Sequence, residues 1–269
     1  MTDIKEITKQ LETGVKNVFD SEKYKDYLSF MSKFYHYSIN NSMLIWMQKP
    51  DATLVAGYQT WAKKFKRQVK KGEKGIRILA PCPRKMTKVV RNQFGDLEEV
   101  EVNFTTFKAT TVFDISQTDG DEVPEMCKAL DGTVENFDEL FKRLTEISPV
   151  PVAFEDIKNG AHGYFSHADN KIYLNNGMSQ LQTIKTLIHE ISHAVLHADE
   201  DGKKEDRETK EVQDESVAFA VCAMLGIDTS EYSFEYVAGW SKGKEAKELT
   251  SSMEVIRTTA SELYEKLAA

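Results

Sequence analysis

His189-Glu190-Ile191-Ser192-His193 sets two imidazoles four residues apart with a carboxylate beside the first. On a helix, positions i and i+4 lie one turn apart on the same face, so both rings can reach one metal ion while Glu190 stands next to the ion's water. A third ligand has to come from elsewhere, because His197 would lie about 12 Å along the axis from His189 on a continuous helix. Downstream, Glu211 and Glu215 are again one turn apart on one face. Two His and one Glu with an open fourth position form a catalytic zinc set. Zinc (Zn2+) is therefore the expected cofactor, with His189, His193 and Glu211 as ligands and Glu190 as general base. Glu215 is expected to accept a hydrogen bond from a ligand imidazole. The opposite assignment of Glu211 and Glu215 stays open at this point. Asp206, Glu208 and Asp214 read as a solvated face.

A zinc ion would supply an acidified water and a polarised carbonyl. Glu190 would take the proton of that water and pass it to the leaving amine, which makes a metallopeptidase with a protein or peptide substrate. The oxyanion needs a further donor, and Tyr164, His167, Tyr232 and Tyr236 all qualify. The strand Lys171 to Leu174, just before the metal helix, is where a peptide could add as an extra strand.

These residues need a helix that starts with the capping pattern Ser179 and Gln182, runs to about His197, and buries Ile184, Leu187, Ile188, Ile191 and Val195. A loop around Gly202 separates it from a second helix, Glu205 to Leu225, closed by Gly226. Upstream lie a helix around Phe137 to Ile147 and three short strands, Val150 to Phe154, Gly163 to His167 and Lys171 to Leu174. The last two are joined across Ala168, Asp169 and Asn170 in a hairpin-like turn. A final helix covers roughly Lys244 to Leu267.

The first half of the chain has a different character. Residues 1–125 hold 20 basic against 17 acidic residues, whereas 126–269 hold 15 against 26. Lys49 to Arg91 alone carries 13 basic and 2 acidic residues, which points to an anionic partner. Lys63, Lys64, Lys66, Arg67, Lys70, Lys71, Lys74 and Arg77 fall in a stretch whose only acid is Glu73, interleaved with Tyr58, Trp61 and Phe65. Cations that follow phosphates and rings that stack on unpaired bases are the ingredients of a single-stranded DNA groove; the plain alternative is a solvated basic face over core aromatics.

Residues 3–19, 22–36, Ser42 to Gln48 and Tyr58 to Phe65 read as helices. A strand, Ile76 to Ala80, is ended by Pro81 and Pro83, and alternating stretches follow at Val89 to Arg91, Glu99 to Phe104 and Thr106 to Ile115. Gln117 to Pro124 is the candidate linker. The fold class expected is α+β: a small N-terminal α+β domain over 1–125 and a zincin-like domain over 126–269. No apolar run is long enough to span a bilayer and the first residues alternate in charge, so the protein is expected in the cytoplasm. Cys82, Cys127 and Cys222 are odd in number and far apart, which suits buried thiols better than disulfides or a Cys-based metal site.

Asn40-Asn41-Ser42-Met43-Leu44-Ile45, Pro50-Asp51-Ala52-Thr53, Val55 to Trp61, Val69 to Ile76 and Val112 to Thr118 together resemble the N-terminal domain of ArdC-type antirestriction proteins of conjugative elements. That resemblance implies single-stranded DNA binding. His189 to His193 with Glu211 and Glu215 resembles the peptidase domain of the same family and of its ImmA/IrrE relatives, some of which act on repressors. The Glu-x-x-x-Glu spacing departs from the Glu-x-x-x-Asp of many related peptidases. Two functions follow as expectations. One is a DNA-placed peptidase acting on a regulatory or restriction-related protein; the other is a non-catalytic DNA-shielding protein with a structural zinc.

Overall fold

The structure, a computed structural model, describes residues 4–91, 97–123, 136–158, 160–197, 206–230, 232 and 234–269. Cys127, the Gly202 loop and the end of the expected linker at Pro124 lie outside the described residues. The chain packs as two compact units, one of Met1–Leu11 and Leu44–Glu122, the other of Glu12–Met43 and Val123–Ala269. This differs from a division at 125/126, and the reason is the burial demanded by the early helices. Helices α1 (Ile4–Val18), α2 (Ser21–Lys33) and α3 (Ile39–Gln48) come first. Along α2, Tyr24, Tyr27, Leu28 and Met31 are at most 1% exposed. Tyr24 Oη lies 2.8 Å from Ser216 Oγ, and Ser32 Oγ donates to the Ala220 carbonyl at 3.3 Å, so α2 is part of the second unit's core.

In the first unit, β1 (Val55–Gly57), α4 (Tyr58–Lys63), β2 (Arg67–Val69), β3 (Ile76–Arg91), β4 (Leu97–Asp114) and β5 (Thr118–Gly120) follow in order. The sheet order is β1-β4-β3, with β2 and β5 as a separate antiparallel pair. β3 does not stop at Pro81 and Pro83; it continues to Arg91 as one long hairpin with β4, in register from Ile76 opposite Val112 to Arg91 opposite Leu97. The two prolines are two residues apart, so their nitrogens face the same side. β3 is the sheet's edge, and on the outer side no N–H is required.

The motif segments of this unit converge on Asp114 and Gln117. Asp114 is 1% exposed and accepts from the backbone N–H groups of Thr53 (2.8 Å), Leu54 (3.1 Å) and Ser116 (2.9 Å), and from the Ser116 hydroxyl at 2.6 Å. Gln117 accepts from Asp114 N–H and donates to the Lys74 carbonyl and to Glu73, which ties the basic turn to the end of β4. Gly75 packs so tightly on β4 that a Cβ there would meet Thr111 Cγ2 at 2.0 Å.

In the second unit, α5 (Phe137–Ile147) precedes β6 (Val152–Glu155), β7 (Gly163–Ser166) and β8 (Lys171–Asn175), and α6 (Gln180–Leu196), α7 (Arg207–Met224), α8 (Val237–Ser241) and α9 (Ala246–Ala268) follow. The sheet order is β6-β8-β7, with β6 parallel and β7 antiparallel to β8. β8 is therefore the central strand with both sides paired. The expected addition of a peptide to Lys171–Leu174 is ruled out, and among the described residues the strand with an unpaired edge near α6 is β7.

Ser179 caps α6 by accepting from Gln182 N–H at 3.2 Å, whereas the Gln182 side chain turns to Thr186 instead of closing a reciprocal box. Ile184, Leu187, Ile188 and Ile191 are buried as expected, but Val195, on the same face in the last turn of α6, is 40% exposed. Asp206 caps α7 through Thr209 N–H at 2.7 Å. Cys222 is buried and Cys82 half-buried, both as free thiols. No helix among the described residues is long and apolar enough to cross a membrane. The fold is α+β, with a zincin-like sheet and helix pair in the C-terminal part.

The donors around Asp114 outweigh its burial and hold its carboxyl below the ordinary aspartate range. Such a group adds stability above its unfolded pKa and loses it as pH falls through the folded value. Asp114→Asn is expected to cost about 2 kcal/mol at pH 7, and the gap from wild type should narrow as the pH drops below about 4. Denaturant titrations from pH 7 to pH 3 check this, and a gap that does not change with pH would refute it.

Candidate metal centre

Helix α6 presents His189 and His193 one turn apart, and their Nε2 atoms lie 3.1 Å from each other. From α7, Glu211 Oε2 comes within 3.9 Å of His189 Nε2, and the three ligand atoms all lie within 4.8 Å of one another. A tetrahedral site with metal–ligand bonds near 2.0 Å needs donor–donor separations of about 3.3 Å. The set therefore suits a small divalent cation once the Glu211 carboxylate moves inward by up to about 1.5 Å.

The other ring nitrogens explain why these atoms face one another. His193 Nδ1 is 2.8 Å from Asp214 Oδ2, and His189 Nδ1 is 3.2 Å from Glu215 Oε2. Several of these approaches are ion-pair distances without hydrogen-bond alignment, since His189 Nδ1 and Asp214 Oδ2 have no aligned partner. A carboxylate at Nδ1 favours the proton on that nitrogen, which leaves the neutral ring's lone pair on Nε2. Two such lone pairs and a carboxylate converging within 4.8 Å repel one another unless a cation lies among them.

Asp214 is fully buried, so the expectation that it belongs to a solvated face is wrong. Its Oδ1 accepts from Ser192 Oγ at 2.6 Å, and its Oδ2 also lies 3.1 Å from His197 Nε2. Burial alone would raise its pKa, but the two imidazoles outweigh that and lower it to about 2. Burial likewise opposes the charged form of His189, yet Glu215 and the other carboxylates raise its pKa to about 9. Glu190 is 6% exposed, and desolvation pushes its carboxyl above the usual range. Of the remaining acids, Asp206 is the α7 cap described above, and Glu208 is exposed.

A cleft surrounds this cluster. On one side a cavity of about 320 Å³ reaches Gly163, Lys185 and Tyr232; on another, one of about 650 Å³ reaches Tyr164, His167 and Glu211. Both contain His189 and Glu190. Among the four candidate oxyanion donors, Tyr164 donates its hydroxyl to Glu155 at 2.8 Å, and the buried Tyr232 hydroxyl lies 3.6 Å from Cys222 Sγ. Tyr236 lines a third cavity beside Glu211 and Glu215, and His167 is exposed on the β7 side.

Residues 3–113 match the model of the N-terminal domain of anti-restriction factor ArdC, and residues 146–257 match that of the IrrE N-terminal-like domain, peptidase family M78. The chain thus has an N-terminal part similar to the ArdC N-terminal domain and a C-terminal part similar to the IrrE-like domain. Metal-free and Mn(II)-bound crystal structures of the antirestriction ArdC protein from the R388 plasmid share its fold at 19% identity, with TM-scores of 0.53 and 0.54. Each comparison covers 86% of this chain and 85% of the other. An uncharacterized Bacillus anthracis protein, pXO2-81, is 29% identical over 96% of this chain, which spans about half the length (50%) of that relative.

In the ArdC-type part, the basic aromatic segment divides in two. Trp61 is fully buried and donates Nε1–H to the Phe113 carbonyl at 2.8 Å, so it is a core residue and not a stacking platform. Arg67 is consumed internally by Thr118, Gly120 and Asp121. Lys70 donates to the Ser116 carbonyl at 3.0 Å, and Arg77 is half-buried. Tyr58, Lys63, Lys64, Lys66, Lys71 and Lys74 are exposed. The sequence reading missed Asp214 and Gly163. An aspartate three residues before the apolar run Val217 to Cys222 was the available signal for the first. A Cβ at Gly163 would come within 2.7 Å of Thr186 Cγ2 and 3.3 Å of Glu190 Cγ, so this glycine lets β7 approach the base.

Removing the Asp214 carboxylate should loosen His193. Asp214→Asn is expected to weaken metal binding about 10 to 100-fold, as loss of a partner behind a ligand imidazole does. Competition against a fluorescent chelator measures this; affinity equal to wild type in a folded variant would show that His193 is oriented without Asp214.

Proposed function

We propose that this chain is a zinc-dependent peptidase of the ArdC type whose N-terminal part binds single-stranded DNA, so that an antirestriction element can act on a regulatory or restriction-related protein. The observation that carries the peptidase reading is the buried Glu190 standing in the cleft beside three converging ligand atoms. A purely structural site would leave the cleft without a base. Zinc is the metal that two imidazoles and one carboxylate suit, although the R388 ArdC protein has a Mn(II)-bound crystal structure.

His189, His193 and Glu211 would hold the ion, with Asp214 and Glu215 fixing the two rings. When bound, the ion supplies Lewis acidity to a carbonyl and to a water. A peptide adds to the unpaired edge of β7, with its scissile bond over Glu190. Glu190 accepts the water's proton and returns it to the departing amine. Tyr236, beside Glu211 and Glu215 with its hydroxyl free of the contacts that hold Tyr164 and Tyr232, is the donor best placed for the oxyanion. The DNA reading rests on Tyr58 and the exposed lysines.

The purified chain is expected to hold about one zinc, to lose it in His193→Ala, and to keep it in Glu190→Gln without peptide cleavage. Elemental analysis beside a proteolysis assay tests the pair of variants, and undiminished cleavage by Glu190→Gln would refute the assigned base. For DNA, Lys63, Lys64, Lys71 and Lys74 replaced together by Ala should lower the log–log salt slope by up to about 3 for a single-stranded oligonucleotide. Trp61→Ala should instead reduce thermal stability and DNA affinity together. Anisotropy titrations at several salt concentrations, run with melts, separate the two. A wild-type chain that binds no single strands at low salt would refute the DNA half.

A further inference from the structure

The cavity on the Gly163 side of the centre has a feature that metal binding does not explain. Lys185 lies one turn before His189 on the same face of α6, is only 7% exposed, and lines this cavity with Gln182, Thr186 and His162. Its ammonium sits 5.2 Å over the Tyr232 ring, a cation–π placement at the cavity wall. Burying an ammonium in a helix face is costly, and neither the ligand set nor the cap of α6 uses it. An ammonium has three donors, so contacts within the protein and contact with a ligand are compatible.

The position of the cavity says which part of a substrate it would meet. β7 pairs antiparallel with β8, and a peptide added to β7's other edge in the same antiparallel sense runs from the His167 end toward the Gly163 end. The residues before the scissile bond then face the cavity of Tyr164 and His167. The residue after it faces the cavity of Lys185.

We propose that Lys185 selects a carboxylate directly after the scissile bond, either a Glu or Asp side chain or the free C-terminus of the peptide. This inference rests on the peptidase reading, and it adds the substrate class. Lys185 is a specificity residue: it meets the group that follows the bond and takes no part in the proton transfers. The lining by Gln182, Thr186 and His162 is polar, with the Gln182 amide donating to the Thr186 hydroxyl at 3.1 Å, and the cavity's volume of about 320 Å³ admits a side chain of Glu size.

The test uses the full chain as Glu190→Gln, loaded with zinc, and fluorescein-labelled peptides Ala-Phe-Glu-Ala-amide, Ala-Phe-Gln-Ala-amide and Ala-Phe-Lys-Ala-amide, with Ala-Phe-Ala as amide and as free acid. Polarisation is expected to show the Glu peptide, or the free acid over its amide, binding about 10-fold tighter than its neutral counterpart. The first result assigns a side chain as the partner, the second a chain terminus. Adding Lys185→Met should erase the preference, Lys185→Arg should keep it, and Lys185→Glu should turn it toward the Lys peptide. Zinc content and melting temperature show that each variant is folded. Equal affinities, a preference that survives Lys185→Met, or no binding of any peptide overturns the proposal. If the preference is found but wild type cleaves none of the peptides, the peptidase reading fails while the carboxylate site stands.

Discussion

The buried carboxylate of Asp214 is the point on which the C-terminal unit depends. It sits in α7, yet its two oxygens face Ser192, His193 and His197 of α6, so one side chain fixes the relative position of the two helices that carry all the ligands. An unpaired carboxylate at that depth would cost several kcal/mol. The helices therefore stay in the one register that keeps the imidazoles against it. Because the same contact orients His193, the packing of the unit and the direction of a ligand nitrogen are set by a single interaction.

The rest of the unit brings chemistry to that frame. Glu215, the next residue of α7, faces the other imidazole, His189, and Gly163 lets the edge strand lie close to Glu190. Glu190 is held between α6 and β7, close to Gly163. Lys185 of α6 lines the cavity on the Gly163 side and Tyr236, at the start of α8, lines the one beside Glu211 and Glu215, so these cavities differ in chemical character.

The ArdC-type part follows the same logic with neutral partners. Asp114 and Gln117 collect backbone donors and acceptors from segments more than sixty positions apart in one case, Thr53 to Asp114, and hold the basic turn at Lys70 to Lys74 against β4. Several residues that look like a nucleic-acid surface in a linear reading, Trp61 and Arg67 above all, are part of this internal bracing. Of the exposed cations that remain, Lys71 and Lys74 are displayed on a turn that Gln117 fixes in place, and Lys63, Lys64 and Lys66 lie at and just after the end of α4.

What the sequence determined by itself was whatever depends on spacing along one element. The four-residue interval of His189 and His193, the apolar stripe of α6, the Ser179 cap and the charge asymmetry all follow from helix periodicity and composition, and so did the α+β class. The placements that depend on what lies opposite were decided only in three dimensions. Asp214 and Glu208 are both acids on α7, and only the approach of α6 makes one a buried anchor and leaves the other in water. Pro81 and Pro83 end a strand in most contexts, but at a sheet edge their missing N–H groups have no partner to lose. Trp61 carries the same stacking surface wherever it is placed; it became core because the Phe113 carbonyl and the hydrophobic interior of the first unit claimed both its polar and its apolar parts. β7 and β8 are neighbouring short strands, and it was strand order, a tertiary property, that put β8 in the middle of the sheet and β7 at its edge.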